Sequence, residues 1–256
     1  MEHSAILRTS APRVEQRSRF YVWIALTYLV IAAIGFGQTY GVPVIQGSQR
    51  FNPAVHVHGW LQFSWLLFFV LQSWLASSGQ VRRHRDLGLM GISLATLLVV
   101  TAIPAAVNRG NIILTSGGSL PVVQQFVGSV VIDAAVFAIL VAAAIVFLKN
   151  PGVHRRLLTA ATLVNVGAAF NRLYKLYAPS VAADFNKLHH IEIPILTGDL
   201  LMIPILIHDW RLERRIHPAN VIALGALLVL HIARVPLGAS VFSQAIGAYI
   251  YSFVGK

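Results

Sequence analysis

The sequence predicts an all-α polytopic membrane protein, and three observations support this. Of its 256 residues, 56% are hydrophobic and 11% are charged, whereas about 25% are charged in ordinary soluble domains. The mean hydropathy is +0.69. The 20 Lys and Arg, against 9 Asp and Glu, fall largely between long apolar runs. This placement indicates contact with a lipid bilayer, so we expect no nucleic-acid partner.

Seven apolar runs are long enough to cross a bilayer, since a spanning helix needs about 20 residues. They cover residues 20–40, 54–76, 87–107, 121–148, 157–177, 191–208 and 219–235. At the start of the second run, Asn52 and Pro53 predict an N-cap followed by the first helical residue. We expect three regions: a basic cytoplasmic arm (1–19), a seven-helix bundle (20–237) and a short apolar tail (238–256). The tail is expected to be interfacial or half-spanning.

The basic residues predict the direction of insertion. Thirteen of the 20 Lys and Arg lie in the N-terminal arm or directly after the second, fourth and sixth runs. Cytoplasmic loops carry such an excess of positive charge. We therefore expect the N-terminus in the cytoplasm, the C-terminus outside and the protein in a bacterial inner membrane. The alternative is a topology of six spans with one re-entrant segment.

Three cytoplasmic turns resemble one another, which indicates a duplicated helical hairpin. Each places a histidine where an odd-numbered helix begins: His84, His154 and His217. A histidine beside arginine at this interface is also typical of phospholipid or turn contacts.

The motifs resemble those of a large group of uncharacterised bacterial multi-pass membrane proteins. They comprise Val57-His58, Trp65, Gln72, His84-Arg85-x-Leu87-Gly88, His154-Arg155-Arg156-Leu157 and His217-Pro218-Ala219. More loosely, the histidine-bearing helices and the His-Arg-x-Leu-Gly turn resemble membrane b-type cytochromes. This second resemblance implies a haem held by histidines.

Ionisable and amide side chains inside the spans are functional candidates, because burying them in lipid is costly. They are concentrated at mid-depth and in the outer half: His58, Asp133, Asn165, Arg172, His189, His190, Glu192, Asp199, His231 and Arg234. The sequence therefore predicts a polar cluster that opens to the outside.

Helical phase predicts which of these side chains face inward, at about 100° per residue. His58 shares a stripe with Gln62, Trp65 and Gln72, so we choose it over His56 as the inward histidine. His154, Asn165 and Arg172 form one polar line along the fifth span. Asn220, His231 and Arg234 share one side of the seventh.

The sixth span is unusual because Pro194 and Pro204 lie at equal distance from Asp199. We expect a kink or an unwound turn between the prolines, with Asp199 facing the bundle. Arg172 and Arg234 are the expected partners of Glu192 and Asp199. Asp133 has no evident partner, so we expect it either to bond Asn165 or to be protonated.

Several functions are compatible with these features. The first hypothesis is a redox protein that binds haem b or a transition metal. His58, His190 and His231 are then cofactor ligands, or His58, His189, His190 and Glu192 hold a metal. The second is an ion- or proton-coupled transporter that uses Asp133, Asn165, Arg172, Asp199 and Arg234. The third is a non-catalytic subunit of a larger membrane complex or homo-oligomer. An intramembrane zinc hydrolase is a further alternative, so enzymatic activity stays open.

Overall fold

In a computed structural model of the chain, residues 19–181 and 193–254 are described, and this part contains helices and no strands. The helices are α1 (Phe20–Phe36), α2 (Val42–Ile45), α3 (Pro53–Ser77), α4 (Val81–Thr115), α5 (Leu120–Val146), α6 (Pro151–Tyr177), α7 (Ile193–Asp199), α8 (Ile203–Glu213), α9 (Pro218–Gly238) and α10 (Val241–Val254). A π-helical turn, Gly37–Gly41, joins α1 to α2. The all-helical class is confirmed.

Six helical segments of the described part are long and apolar enough to cross a membrane. They are Phe20–Ile45, α3, α4, α5, the segment Ile193–Glu213 and α9. The helix α6 spans 27 residues but is less apolar. The chain is therefore a multi-pass membrane protein by composition and length.

The composition of α6 follows from its position in the bundle. It packs against α1, α5, α7 and α9. Small and hydroxyl-bearing side chains line it where neighbouring helices approach, among them the buried Thr159, Ala160, Ala161, Thr162 and Gly167. Because α6 faces protein on several sides, it needs less hydrophobicity than a lipid-facing helix, and small residues permit close packing.

Local sequence signals define several helix starts. Asn52 caps α3 by accepting a hydrogen bond from the amide of Ala54, as predicted. Other boundaries differ from the prediction. The helix α4 begins at Val81 and passes through Pro104 to Thr115, so it is longer than the apolar run 87–107. Helices extend beyond their apolar cores where polar residues still fit the helical hydrogen-bond pattern.

The predicted interruption between Pro194 and Pro204 is confirmed. The helix α7 ends at Asp199, a 3₁₀ turn covers Leu200–Met202, and α8 begins at Ile203. Pro204 has no backbone N–H for the carbonyl of Leu200, which instead accepts from the N–H of Ile203 and so forms the 3₁₀ turn. The side chain of Asp199 is 4% exposed and thus faces the bundle.

The tail forms α10, which packs against α5 and α4. The hydroxyl of Tyr251 donates to the side-chain oxygen of Asn111, and Ser243 lies against Gly128. With 14 residues, α10 is about 21 Å long and too short to span a bilayer.

Candidate functional site: the buried polar face of α9

The helix α9 carries three buried polar side chains on one face. Asn220, His231 and Arg234 are 0%, 2% and 8% exposed. The prediction that they share one side is confirmed. Each contacts an aspartate from a different helix: Asn220 contacts Asp209 of α8, while His231 and Arg234 contact acids of α7 and α5.

His231 pairs with Asp199 at the interrupted helix. Its Nδ1 lies 3.0 Å and 2.9 Å from the two carboxylate oxygens of Asp199. This Nδ1 is the only hydrogen-bond donor to the Asp199 side chain within the described residues. A carboxylate has about four acceptor sites, so Asp199 retains acceptor capacity.

Arg234 pairs with Asp133, which corrects two expectations. Its Nε donates to the carboxylate oxygens of Asp133 at 3.0 Å and 3.2 Å, because α9 packs against α5. Asp133 therefore has a cationic partner that the sequence did not reveal. Arg234 forms its ion pair with Asp133, and Asp199 forms one with His231.

We call Asp133, Asp199, His231 and Arg234 the α9 charge cluster. His231 and Arg234 lie three residues apart, which places them one helical turn from each other. With a neutral imidazole the four side chains carry one net negative charge, and with a protonated imidazole they carry none. Binding one additional positive charge would therefore neutralise these four side chains.

Several buried side-chain polar atoms have no hydrogen-bond partner among the described residues, among them Tyr28 Oη and Asn165 Nδ2. Asp199 is close enough to Tyr28 for its charge to act on the phenol. Unsatisfied buried polar atoms are rare in native proteins and usually indicate an ordered water or a ligand. Asn165 was one expected partner of Asp133, but Asp133 bonds Arg234.

Arg172 contacts its own helix and α1 within the described residues. Its Nη1 donates to the carbonyl of Ala168 at 2.9 Å, and its guanidinium lies 4.0 Å from the ring centroid of Phe36. This cation–π contact joins α6 to α1. The other expected participants, Glu192, His189 and His190, lie outside the described residues.

The opposite end of α9 contains a network that sequence analysis missed. Asp209 accepts from Arg156 through both carboxylate oxygens, and its Oδ2 also accepts from Asn220 Nδ2 at 2.7 Å. The backbone N–H of His217 adds a fourth bond at 3.3 Å. Arg156 and Asp209 are each 1% exposed. Arg156 follows the fourth apolar run and looks like a loop residue in the sequence. Asp209, an acid at the end of the sixth run, is the one signal that indicated a buried partner.

His217 links this network to the start of α9. Its Nδ1 accepts a hydrogen bond from the amide of Ala219 at 3.1 Å, which caps the helix. Burial, followed by the nearby positive charge of Arg156, lowers the pKa of His217 below its usual value. The imidazole is therefore neutral near pH 7, as an accepting Nδ1 requires.

The predicted stripe on α3 faces the core, and Gln62, Trp65 and Gln72 are buried on it. His58, half-buried, lies with its Nδ1 3.1 Å from Thr101 Oγ1 of α4. The expected convergence of His58 with His231 is not found, because α3 packs mainly on α1 and α4 whereas α9 packs on α5, α6 and α7. No set of three or more His, Asp or Glu side chains in the described part of the chain is placed to hold a metal ion.

Two of the repeated histidines meet. The ring centroids of His84 and His154 are 6.4 Å apart with an interplanar angle of 89°.

Comparisons of the chain with protein-family models, curated proteins and solved structures find no match. Functional inference therefore depends on the geometry of these side chains.

Proposed function

We propose that this protein is a seven-span membrane transporter coupled to protons or another small cation, with the coupling site at the α9 charge cluster. The observation that carries the proposal is the buried pairing of Asp199 with His231, one helical turn from Arg234 and Asp133, directly before an interrupted helix. Interrupted helices with acidic residues at mid-membrane depth are typical of ion and substrate sites in transporters.

In the proposed topology α6 is the additional span, with its N-terminal end and Lys149 in the cytoplasm. The support is its length of 27 residues and its packing against four other helices. The distribution of Lys and Arg supports a cytoplasmic N-terminus and an outer C-terminus. The inner membrane of a bacterium is the proposed location, and the α9 charge cluster then lies in the outer half of the bundle.

The proposed chemistry follows from charge balance. A net charge in a low-dielectric interior costs several kcal/mol even after relaxation. Binding one proton or small cation neutralises the cluster, and losing it restores the negative charge. Tyr28 Oη, on which the charge of Asp199 acts, supplies a polar position for water beside this site.

The proposal can be tested without knowing the transported substrate. Full-length protein in liposomes is adsorbed on a solid-supported membrane, and the charge moved by a pH jump is recorded. We expect a transient current in wild type and loss of most of it in Asp199→Asn, which keeps the side-chain volume but removes the charge.

Asp86→Asn is the matched control, because the Asp86 side chain is 69% exposed near the cytoplasmic start of α4. Its current should equal that of wild type. Wild type that moves no more charge than empty liposomes would refute the proposal, as would an Asp199→Asn variant indistinguishable from wild type. A steady current under a maintained gradient would identify ion flux.

A second candidate function is redox or metal chemistry at the outer side, with His231 and His190 as proposed ligands. One observation favours it: the Nδ1 of His231 is engaged by a carboxylate, which is how metal-ligating histidines are commonly oriented for coordination through Nε2. The visible spectrum and metal content of the purified protein test this candidate, and His231→Ala should abolish either signal.

A further inference from the structure

A small cleft lies between α5 and α9, at the ends of these helices that face outward in the proposed topology. Its lining begins in the first turn of α5 and reaches the last turn of α9. The volume is about 190 Å³, or roughly six water-sized positions at about 30 Å³ each. The cleft therefore has the size of a small organic molecule. The residues that line it are Val122, Gln125, Phe126, Ser129, Arg234 and Val235.

Arg234 makes this cleft electropositive. Among the described residues it is the one charged member of the lining, and it is 8% exposed. Its ion-pair partner Asp133 lies one helical turn beyond Ser129 on α5, outside the lining. A guanidinium has five N–H donors and can bond more than one acceptor. A buried cation in the wall of a cleft favours an anionic ligand.

Gln125 offers a second donor to such a ligand. The hydroxyl of Ser129 donates to the backbone carbonyl of Gln125 at 2.9 Å, so it does not compete for the anion as a donor. The side-chain amide of Gln125 has two N–H groups. The wall beside them is rigid, because a β-carbon at Gly238 would lie 2.3 Å from Ser129 Oγ and 3.2 Å from Gln125 Cγ. The glycine therefore lets α9 approach α5 closely at this edge of the cleft.

The remaining lining is apolar, and this determines the class of anion. Val122, Phe126 and Val235 face the same space as the guanidinium. A carboxylate matches a guanidinium through two parallel N–H···O bonds, and a short hydrocarbon chain matches the apolar walls. An inorganic anion would leave these walls without an apolar partner.

We propose that the cleft binds a short-chain monocarboxylate, with its carboxylate on Arg234 and Gln125 and its chain against the three apolar residues, and that this anion is the substrate transported with the proton. The second part rests on the proposed function, whereas the binding itself does not.

Charge balance couples the anion to a proton. The α9 charge cluster carries one net negative charge when its imidazole is neutral, so an anion alone would raise this charge to two. Additional net charge is unfavourable in a low-dielectric interior. A proton taken up together with the anion prevents this increase. Coupling of two ligands is reciprocal, so a lower pH should raise the affinity for the anion.

The groups that could take up this proton are contributed by three helices. Asp133 of α5 and Asp199 of α7 bond the polar face of α9, and His231 is on α9 itself. Two further elements pack on α9. In its outer half α6 carries the cations Arg172 and Lys175, while α10 carries no charged residue. Where one proton accompanies each anion, the affinity should fall about tenfold for each unit of pH increase.

The test titrates full-length protein in detergent with sodium butyrate by calorimetry, at about pH 6 and about pH 8, where an ordinary carboxylate is ionised. Butyramide, which has the same shape and no charge, is titrated in parallel, as is inorganic phosphate. We expect one saturable butyrate site per chain, with butyramide and phosphate at least about tenfold weaker because a charge-assisted bond or the apolar contacts are lost.

Two variants test the lining. Arg234→Gln removes the cation and should weaken butyrate binding at least about tenfold. Val122→Phe fills part of the cleft and should weaken binding at least about fivefold. Because Val122 is 49% exposed, the larger side chain does not disturb the core. Val229→Phe is the matched control, since Val229 is 68% exposed on α9 and lies outside the lining, and it should bind butyrate as wild type does. Equal melting temperatures establish that both Phe variants are folded.

Asp199→Asn tests the coupling to the proton. This variant removes one negative charge from the cluster, so the anion no longer requires a proton. At about pH 8 it should bind butyrate more tightly than wild type does, and its affinity should change little with pH. A protein that binds only neutral butyric acid would keep the full pH dependence in Asp199→Asn, and this result would overturn the proposal.

Three other outcomes would also overturn it: no saturable butyrate binding by wild type, butyramide or phosphate that binds as tightly as butyrate, and unchanged binding in both Arg234→Gln and Val122→Phe. The pH-jump current is recorded without butyrate, so the two proposals fail separately. A current without butyrate binding refutes only this substrate class. Butyrate binding without a current refutes coupled transport and keeps the binding site.

Discussion

The buried pair of Arg156 and Asp209 gives the sharpest stability prediction. In Asp209→Asn the side chain keeps nearly the same shape, but the guanidinium of Arg156 loses its main counter-charge while staying buried. Removing one partner of a buried ion pair costs about 3–5 kcal/mol. At roughly 2–4 °C per kcal/mol for a chain of this size, the melting temperature should fall by about 6–20 °C.

Glu213→Gln is the matched control because Glu213 contacts the same guanidinium at 3.1 Å but is 32% exposed. A partly exposed ion pair contributes about 0–1 kcal/mol. Glu213→Gln should therefore lower the melting temperature by no more than about 4 °C. Thermal unfolding in detergent, followed by size-exclusion elution, measures both variants under identical conditions.

The double variant Arg156→Met/Asp209→Asn tests the physical cause. If the cost comes from the uncompensated charge, removing that charge should recover at least half of the lost stability, because apolar replacements of buried ion pairs are often tolerated. The reasoning is refuted if the double variant is no more stable than Asp209→Asn. It is also refuted if Asp209→Asn and Glu213→Gln melt together.

Two further predictions concern topology and packing. Because the chain has no Cys, single cysteines can report sidedness: an impermeant maleimide applied to intact cells should label Gly117→Cys but not Lys149→Cys, and the reverse pattern contradicts the proposed orientation. A β-carbon at Gly35 would lie 2.8 Å from the carbonyl oxygen of Ala169, whereas one at Gly37 would meet nothing within 4 Å. Gly35→Ala should therefore destabilise the α1–α6 contact by about 1–3 kcal/mol, with Gly37→Ala close to neutral, and equal melting temperatures would contradict this account of the packing.

Local signals in the sequence predicted much of the fold. Asn52 and Pro53 fixed the start of α3, and the two prolines around Asp199 predicted the interruption between α7 and α8. These features depend on residues within one or two helical turns, where capping and proline sterics act. Hydropathy identified the helices, but α6 is less apolar than the six candidate spans, because lipid exposure and not helix formation determines how apolar a helix must be.

The pairing of charges could not be predicted in the same way. Asp133 and Arg234 are 101 residues apart in sequence, and Arg156 and Asp209 are 53 residues apart. Helical phase shows which side of a helix is polar, but it does not show which helix lies opposite. Arg172 and Arg234 were therefore equivalent candidates for the acids of the sixth span, and the sequence did not show that α9 packs on α5, where Arg234 pairs with Asp133.

The two ends of α9 differ in how completely their acids are satisfied, and this difference assigns them different roles. Asp209 receives four hydrogen bonds, so its acceptor capacity is used and the pair with Arg156 fixes α6, α8 and α9 relative to one another. Asp199 receives one donor among the described residues, His231 Nδ1, so it retains acceptor capacity. Removing the first charge should therefore unfold the protein at a lower temperature. Removing the second charge should leave a folded protein that no longer moves charge. A structural ion pair uses the acceptor positions of its carboxylate, whereas an ion-exchange site needs a free acceptor position.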